Sequence, residues 1–545
     1  MERKWWTLVA VLAATFMLLL DITIVVVALP DIQQELHSSF SDVQWVVDAY
    51  ALTLAALLLT SGSLADRYGR RLLFLVGLGI FTAGSALCAA AQTPLMLILS
   101  RAVQGVGGAV LFATSLSLLA MNFQGRERGV AFGAWGAVAG VSTALGPILG
   151  GLITSGVSWR GIFWVNLPVG VAAIVITLRK VAESRAPQSH RPDWIGFATL
   201  TSGLVALVYG LIRASEDGWG DGGVITCFVL AAVLLTAFVV AETRVAHPMF
   251  DLSLLRIPTF LGGSVAAFAM NGSLYAMLVY LTLYLQNDQG YSALQTGVRV
   301  LILSATAMVF ASVAGRLSTF VPVRWLIGPG LALVGVGLLL MSGLDAGSSW
   351  THLIPGLVVA GAGSGLVNPP LASTAVGVVH PFRSGMASGV NTTFRQVGIA
   401  VGTAAYGSIF TARLADGLSD RLDGVPELAG RGDQIADAVH GGAVGQAIGA
   451  APATARPALS DAVHGSFAGA LNDLFVTAGV LALVGGALAL ALIRGKDFAA
   501  AHQQAPQPAG GQPAGGQPAD TPTQPAQPAQ PGQGAPEQAA TSPAT

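Results

Sequence analysis

The chain has 545 residues, 53% of them hydrophobic and only 10% charged, where soluble domains carry about a quarter. A net charge of −1 leaves no basic footprint for a nucleic-acid partner. The two cysteines, Cys88 and Cys227, lie in apolar segments and supply neither a disulfide framework nor a metal-ligand cluster.

What remains is a polytopic membrane protein, whose apolar side chains face lipid as well as one another. Hydrophobic runs of spanning length recur at 7–29, 45–64, 72–91, 95–120, 130–153, 162–178, 195–212 and 224–241. Six more follow at 260–285, 296–315, 325–344, 352–373, 388–411 and 467–493. The first follows Arg3 and Lys4 as a signal peptide would, but it is longer than the 7–15 residues of a signal core. It is therefore read as a span. Fourteen transmembrane helices are predicted.

With the N-terminus inside, 18 of the 27 Lys and Arg residues fall in inner segments and 7 in outer ones. Arg101 and Arg395 are left within spans. This bias predicts a multi-pass inner-membrane protein with both termini cytoplasmic. A shift of 256 residues places Gly105 on Gly361, Gly107 on Gly363, Gly129 on Gly385, Gly133 on Gly389 and Gly146 on Gly402. Spans four and five thus repeat as spans twelve and thirteen, and such parallel halves predict a transporter with its site between them. The expected organisation is a six-helix half over 1–180, a cytoplasmic linker at 181–193, an inserted helix pair at 194–242 and a second half over 243–497. That second half includes a long hydrophilic outer loop at 412–466. The Pro/Gln/Ala-rich segment 498–545 is expected to be disordered.

Asp21 is the one carboxylate in the first span. A charge at the bilayer centre costs about 3 kcal/mol on insertion scales, so such a group faces a cavity or a partner. Desolvation favours the neutral form of a carboxyl group. A carboxyl that meets two aqueous sides alternately could load a proton on one and release it on the other. Asp21 is thus the leading proton-coupling residue, with Arg101 as an electrostatic modulator and Asp48, near the outer end of span two, as a second proton site. The competing reading is that Asp21 cross-links helices through hydrogen bonds. In Gly62-Ser-Leu-Ala-Asp66-Arg67-Tyr-Gly69-Arg70-Arg71 the glycines suit a tight inner turn. There Asp66 could pair with Arg67, Arg70 or the loop carrying Arg126 and Arg128. The glycines of span five (Gly136, Gly140, Gly146, Gly150 and Gly151) allow close helix approach, and Pro147 allows a bend. Gln104, Asn271, Tyr275, Asn368, Asn391 and Arg395, with Tyr280 and Tyr284, could line a mixed polar–apolar cargo pocket. For Arg395 a purely structural pairing is the alternative.

Several of these stretches carry a family resemblance. Residues 62–71 resemble the inner-loop signature of the major facilitator superfamily, and Arg101-Ala-Val-Gln104-Gly105-Val-Gly107-Gly108 resembles its span-four arginine motif. Gly133 through Gly146-Pro147-Ile-Leu-Gly150-Gly151 looks like the antiporter motif. Leu20-Asp21-Ile-Thr-Ile-Val-Val26-Val-Ala-Leu-Pro30 and Trp159-Arg160-Gly-Ile-Phe163-Trp164-Val-Asn166-Leu-Pro168 resemble the fourteen-span drug:proton antiporter branch. Ser384 through Asn391 to Arg395-Gln396 extends the likeness to span thirteen. Val26 stands where that branch carries Asn, so Asp21 must find its partner on another helix. The resemblance implies an all-α fold of two six-helix halves with an inserted pair. It implies a proton-coupled exporter of drugs or antibiotics, with residues 62–71 as a conformational latch and the span-five glycines as a hinge.

Rival functions find little support. No G-x-x-x-x-G-K-[ST] nucleotide loop occurs, which argues against a primary pump. The eight histidines are scattered without metal-ligand spacing, and His37 and Asp42 match an acyltransferase-like H-x4-D spacing only in isolation. The expectation is a non-enzymatic antiporter with no cofactor, powered by the proton gradient. Its partners would be a small amphipathic substrate, protons and lipid, with a monomer as the plausible state. Export of an endogenous metabolite, or a non-transporting receptor of the same fold, are the alternatives.

Overall fold

A computed structural model describes residues 2–123, 125–184, 193–245, 248, 250–318, 320–379, 384–422, 435, 452 and 454–498. All belong to one compact unit, Met1–Gln504. Regular structure among them is entirely helical: α1 Arg3–Glu35, α2 Phe40–Tyr68, α3 Arg70–Ala89, α4 Pro94–Asn122, α5 Gly125–Gly156, a single turn α6 Gly161–Trp164, and α7 Asn166–Lys180. There follow α8 Trp194–Glu216, α9 Gly222–Arg244, α10 Pro258–Met270, α11 Ala276–Leu283, α12 Ala293–Leu317, α13 Arg324–Met341, α14 Ile354–Gly377, α15 Ser384–Leu422 and α16 Arg456–Leu492. Twelve helical segments among the described residues are long and apolar enough to cross a membrane. Two further helices, α2 and α5, run 29 and 32 residues.

Local sequence explains the helix starts. Ser39 accepts from the Asp42 amide at 3.1 Å and Asp42 accepts from the Ser39 amide at 2.9 Å, a reciprocal cap on α2. That cap accounts for the His37–Asp42 spacing, because Asp42 is spent on its own helix. Ser292 and Gln295 cap α12 in the same way. α10 continues through single π turns at Asn271–Tyr275 and Tyr284–Asp288 into one long segment, Pro258–Asp288.

The 256-residue repeat is visible as equivalent helix crossings. A Cβ on Gly105 would lie 2.7 Å from the Tyr50 carbonyl of α2, and one on Gly361 would lie 2.5 Å from the Leu303 carbonyl of α12. Gly107 is pressed against Phe81 of α3, as Gly363 is against Gly330 of α13. Gly146 meets Thr23 of α1, and Gly402 meets Gly272 between α10 and α11. These three glycine pairs therefore meet equivalent neighbours in both halves, since only a residue without Cβ lets backbones approach so closely; the surroundings of Gly129, Gly133 and Gly385 lie outside the described residues. α8 and α9 pack on each other, with α8 also lying against α2 and α15.

Two boundaries depart from expectation. The segment 412–466 is not loop throughout: α15 continues to Leu422 and α16 begins at Arg456. Leu414, Leu418, Leu422, Leu459 and Val463 are buried in one core cluster, so a helical stripe of leucines every fourth residue outweighs the polar composition. Residues 423–434 and 436–451, the tail after Phe498, and linker residues 185–192 lie outside the described residues.

One end of the bundle, here the far end, carries an ion pair between Glu35 and Arg160. At the opposite, near end Lys4 pairs with Glu127 at 2.8 Å. The two halves are shut against each other at the far end. Gly151 of α5 abuts the Ala293 carbonyl, Gly297 of α12 abuts that of Pro147, and the Leu294 amide donates to Ser155 at 3.0 Å. Gln286 donates to the Val27 carbonyl at 2.7 Å and Asn287 to Gln33 at 3.3 Å.

Candidate functional site

Asp21 sits on α1 with no solvent exposure, and its carboxylate is fully engaged. One oxygen accepts from Arg101 Nη1 at 2.6 Å. The other accepts from Gln104 Nε2 at 2.8 Å and Asn166 Nδ2 at 2.9 Å. Gln104 and Asn166 also donate to Ser85 Oγ at 2.8 and 3.2 Å. Arg101 donates through Nε to the Val46 carbonyl at 3.1 Å, and its guanidinium lies 4.3 Å from the centre of the Tyr50 ring. Five helices, α1, α2, α3, α4 and α7, thus converge on one buried ion pair. A pair taken out of water is stabilised when its remaining donors and acceptors are satisfied, and here both carboxylate oxygens and Arg101 Nε and Nη1 are.

This cluster joins Asp21 to Arg101, and polar partners for Asp21, absent at Val26, come from other helices. It also corrects the placement of Gln104, which serves Asp21 rather than a cargo pocket. Its side chain reaches α1 and α3 because Gly84, facing it, leaves no Cβ in the way. Asn166, Ser85 and Tyr50 were not singled out for a role, although Asn166 stands in the Trp159–Pro168 stretch as the one amide opening α7. Cys88 Sγ lies 3.7 Å from Gln104 Oε1, so the thiol is packing at the edge of the cluster.

Asp48, on α2, is equally buried but wholly different. Neither carboxylate oxygen has a hydrogen-bond partner among the described residues, nor do the amide atoms of Gln44 one turn earlier or the Tyr406 hydroxyl. Asp48 is buried rather than exposed at the outer end of α2. It lies inside the contact of α2 with α11 and α15, where Gly407 packs directly on Gln44. Beside it Phe40, Tyr280, Tyr406, Phe410 and Phe467 form an aromatic cluster with ring centroids 4.9–6.2 Å apart. Tyr280 and Tyr284 are therefore buried core rather than pocket lining, a correction that follows from rings of α15 meeting Tyr280 and Phe467 of α16 meeting Tyr284.

In the latch region the backbone of Gly69 has φ +120°, a conformation that side chains rarely adopt, and it ends α2 and begins α3. Beneath it Glu183, just after α7, accepts from the amides of Arg71 and Leu72 at 3.0 and 3.1 Å. Arg71 donates to the Leu178 carbonyl at 2.6 Å, and the Arg70 amide to the Ser184 carbonyl at 3.0 Å. Glu183 thus caps α3 from the segment that follows α7, a role no local pattern announces. Gly62 faces open space, and Arg67 lies near the Tyr68 ring. The side chains of Asp66, Arg126 and Arg128 lie outside the described residues, so the expected Asp66 pairing does too.

Gly146, Gly150 and Gly151 are contact points with α1 and α12, and α5 runs unbroken through Pro147. Gly140 has nothing within 4 Å of its Cβ position, and the surroundings of Gly136 lie outside the described residues. In the second half Arg395 donates to Asn368 Oδ1 at 3.0 Å and Asn391 Oδ1 at 3.3 Å, and Asn368 lies 3.5 Å from the Tyr275 hydroxyl. These four expected residues are brought together. Asn271 instead donates to its own helix at Ala267, 2.8 Å away.

The family model described as Major Facilitator Superfamily matches residues 11–403. The chain belongs to this superfamily. As a facilitator it is a multi-pass membrane transporter, not an enzyme. It is 35% identical over 512 residues to the tetracenomycin C resistance and export protein of Streptomyces glaucescens, covering 93% of this chain and 95% of that protein. It is 36% identical to the puromycin resistance protein pur8 of Streptomyces alboniger, covering 77% and 84%. The facilitator fold is also that of a bacterial homolog of the human lysosomal transporter Spinster, with a TM-score of 0.60 at 16% identity over 92% of this chain and 98% of that one.

Proposed function

We propose that this facilitator exports amphipathic drugs or antibiotics in exchange for protons, by alternating access, with no other cofactor. The observation carrying the reading is the buried Asp21–Arg101 pair, on the same helix α1 that enters the far-end seal at Val27. Thr23 meets Gly146 and Ile24 meets Gly150, while Pro147 and Gly151 of the same α5 segment meet α12. A proton on Asp21 cancels its attraction for Arg101, and α1 carries that change to the contact between halves. Cargo release and proton entry then alternate with opening of the far end. Each charge moved through 100 mV supplies about 2.3 kcal/mol. The names of the relatives, resistance and export proteins for tetracenomycin C and puromycin, support drug-like cargo.

In this reading α2 and α5 also cross the bilayer, giving fourteen spans, and α8 with α9 forms a pair inserted between two six-helix halves over 1–180 and 243–497. The near end and both termini face the cytoplasm of a bacterial cell, following the positive-inside bias. The protein works as a monomer.

The test uses purified protein in liposomes with an imposed pH gradient. Wild type accumulates cargo against its gradient and dissipates the proton gradient in step. Asp21→Asn should bind cargo yet lose gradient-driven accumulation. Undiminished proton-driven export by that variant would falsify the coupling role.

A further inference from the structure

Resting on that export reading, we infer that Arg395 is the anion subsite of the cargo cavity and selects amphipathic molecules bearing a carboxylate or other acidic oxygen. Unlike Arg101, Arg395 forms no ion pair among the described residues. Its partners are two amide oxygens, and both amides are oriented for it by contacts behind them. Asn391 Nδ2 points at the Gly263 carbonyl, 3.4 Å away, and Asn368 Nδ2 points at the Tyr275 hydroxyl, so each oxygen faces the guanidinium. Nε and Nη1 are thereby held, while Nη2 takes no partner among the described residues. A guanidinium carries five N–H donors in a planar fork that matches a carboxylate, and here two donor nitrogens are fixed by amides while Nη2 keeps its N–H groups for a ligand.

Tyr275, Asn368 and Arg395 lie on three different helices, well inside their segments, yet each is partly exposed. A cation facing lipid at that depth is costly, which favours a water-accessible cavity as the face these three residues share. The surroundings are apolar: Tyr275 and Phe394 pack against a buried cluster that includes Met270, Val367 and Leu371. A fixed, uncompensated cation against an apolar wall fits a molecule with an acidic group at one edge of an aromatic or aliphatic body.

The probes are mono-, bi- and tricyclic aryl carboxylates and the matching carboxamides, bound to the purified full chain in detergent. Wild type should prefer the carboxylate of at least one pair by tenfold or more. Arg395→Gln should erase that preference by weakening the carboxylate alone, Arg395→Lys should retain part of it, and Asn368→Ala should reduce it several-fold. Equal affinity of wild type for acid and amide in every pair, read with no substitution at all, overturns the inference. So does an equal loss of both ligands in a folded Arg395→Gln protein. Failure of the export reading looks different: carboxylate preference would persist in detergent while liposomes show no proton-driven accumulation.

Discussion

Gly297 of α12 lies directly on the carbonyl of Pro147 in α5, so that a Cβ at residue 297 would overlap that oxygen. The crossing joins the two halves where the far end is shut, and it tolerates no side chain. Gly297→Leu should hold the far end apart and lower export at least tenfold while leaving the fold intact. Spin-label distances across the far end, between α5 and α12, should lengthen; an unchanged distance distribution with normal export would refute the role of this crossing.

The Asp21–Arg101 pair makes a second prediction. Removing one partner of a buried pair leaves an uncompensated charge, at a cost of about 3–5 kcal/mol. Arg101→Gln should therefore lower thermal stability sharply, and so should Asp21→Asn, which leaves the arginine unpaired. The double variant Asp21→Asn with Arg101→Gln, in which no charge remains, should recover much of it. Melting temperatures of the four proteins in one detergent form the cycle, and additive losses would show that the two side chains are energetically independent.

Asp48 behaves oppositely, because its oxygens have no partner to lose. Asp48→Asn should leave melting temperature and far-end closure within error of wild type. As a second proton site, Asp48 also predicts one fewer proton exchanged per cargo molecule in that variant, read from paired proton and cargo fluxes in liposomes. An unaltered stoichiometry would leave Asp21 as the proton carrier and reduce Asp48 to packing.

At the near end Glu183 and Gly69 are coupled. Glu183→Ala removes the cap from the α3 amides, a loss of about 1 kcal/mol. Gly69→Ala adds a Cβ 2.7 Å from the Glu183 carboxylate at a backbone φ of +120°. The two together should cost less than the sum, since Glu183→Ala removes the overlap but not the backbone strain. Strict additivity in thermal unfolding would exclude the contact.

Much of this was legible in residues alone. Long apolar runs placed the helices, because only a helix satisfies its backbone in hydrocarbon. One carboxylate in the first run marked Asp21, because charge there is costly. Glycines repeating at 256 residues exposed two halves, because close crossings demand the same small residue in each. What the sequence by itself could not decide was which polar groups meet. Gln104 went to Asp21 rather than to the cargo cavity, Asn166 and Ser85 joined the pair unannounced, and Tyr280 and Tyr284 went to buried core instead of lining a pocket. The physical reason is that membrane helices are apolar nearly all round, so composition leaves each helix free to rotate about its axis and choose its neighbours. Only the packed bundle selects that rotation, and with it the choice between an arginine tied to a carboxylate and an arginine left open to cargo.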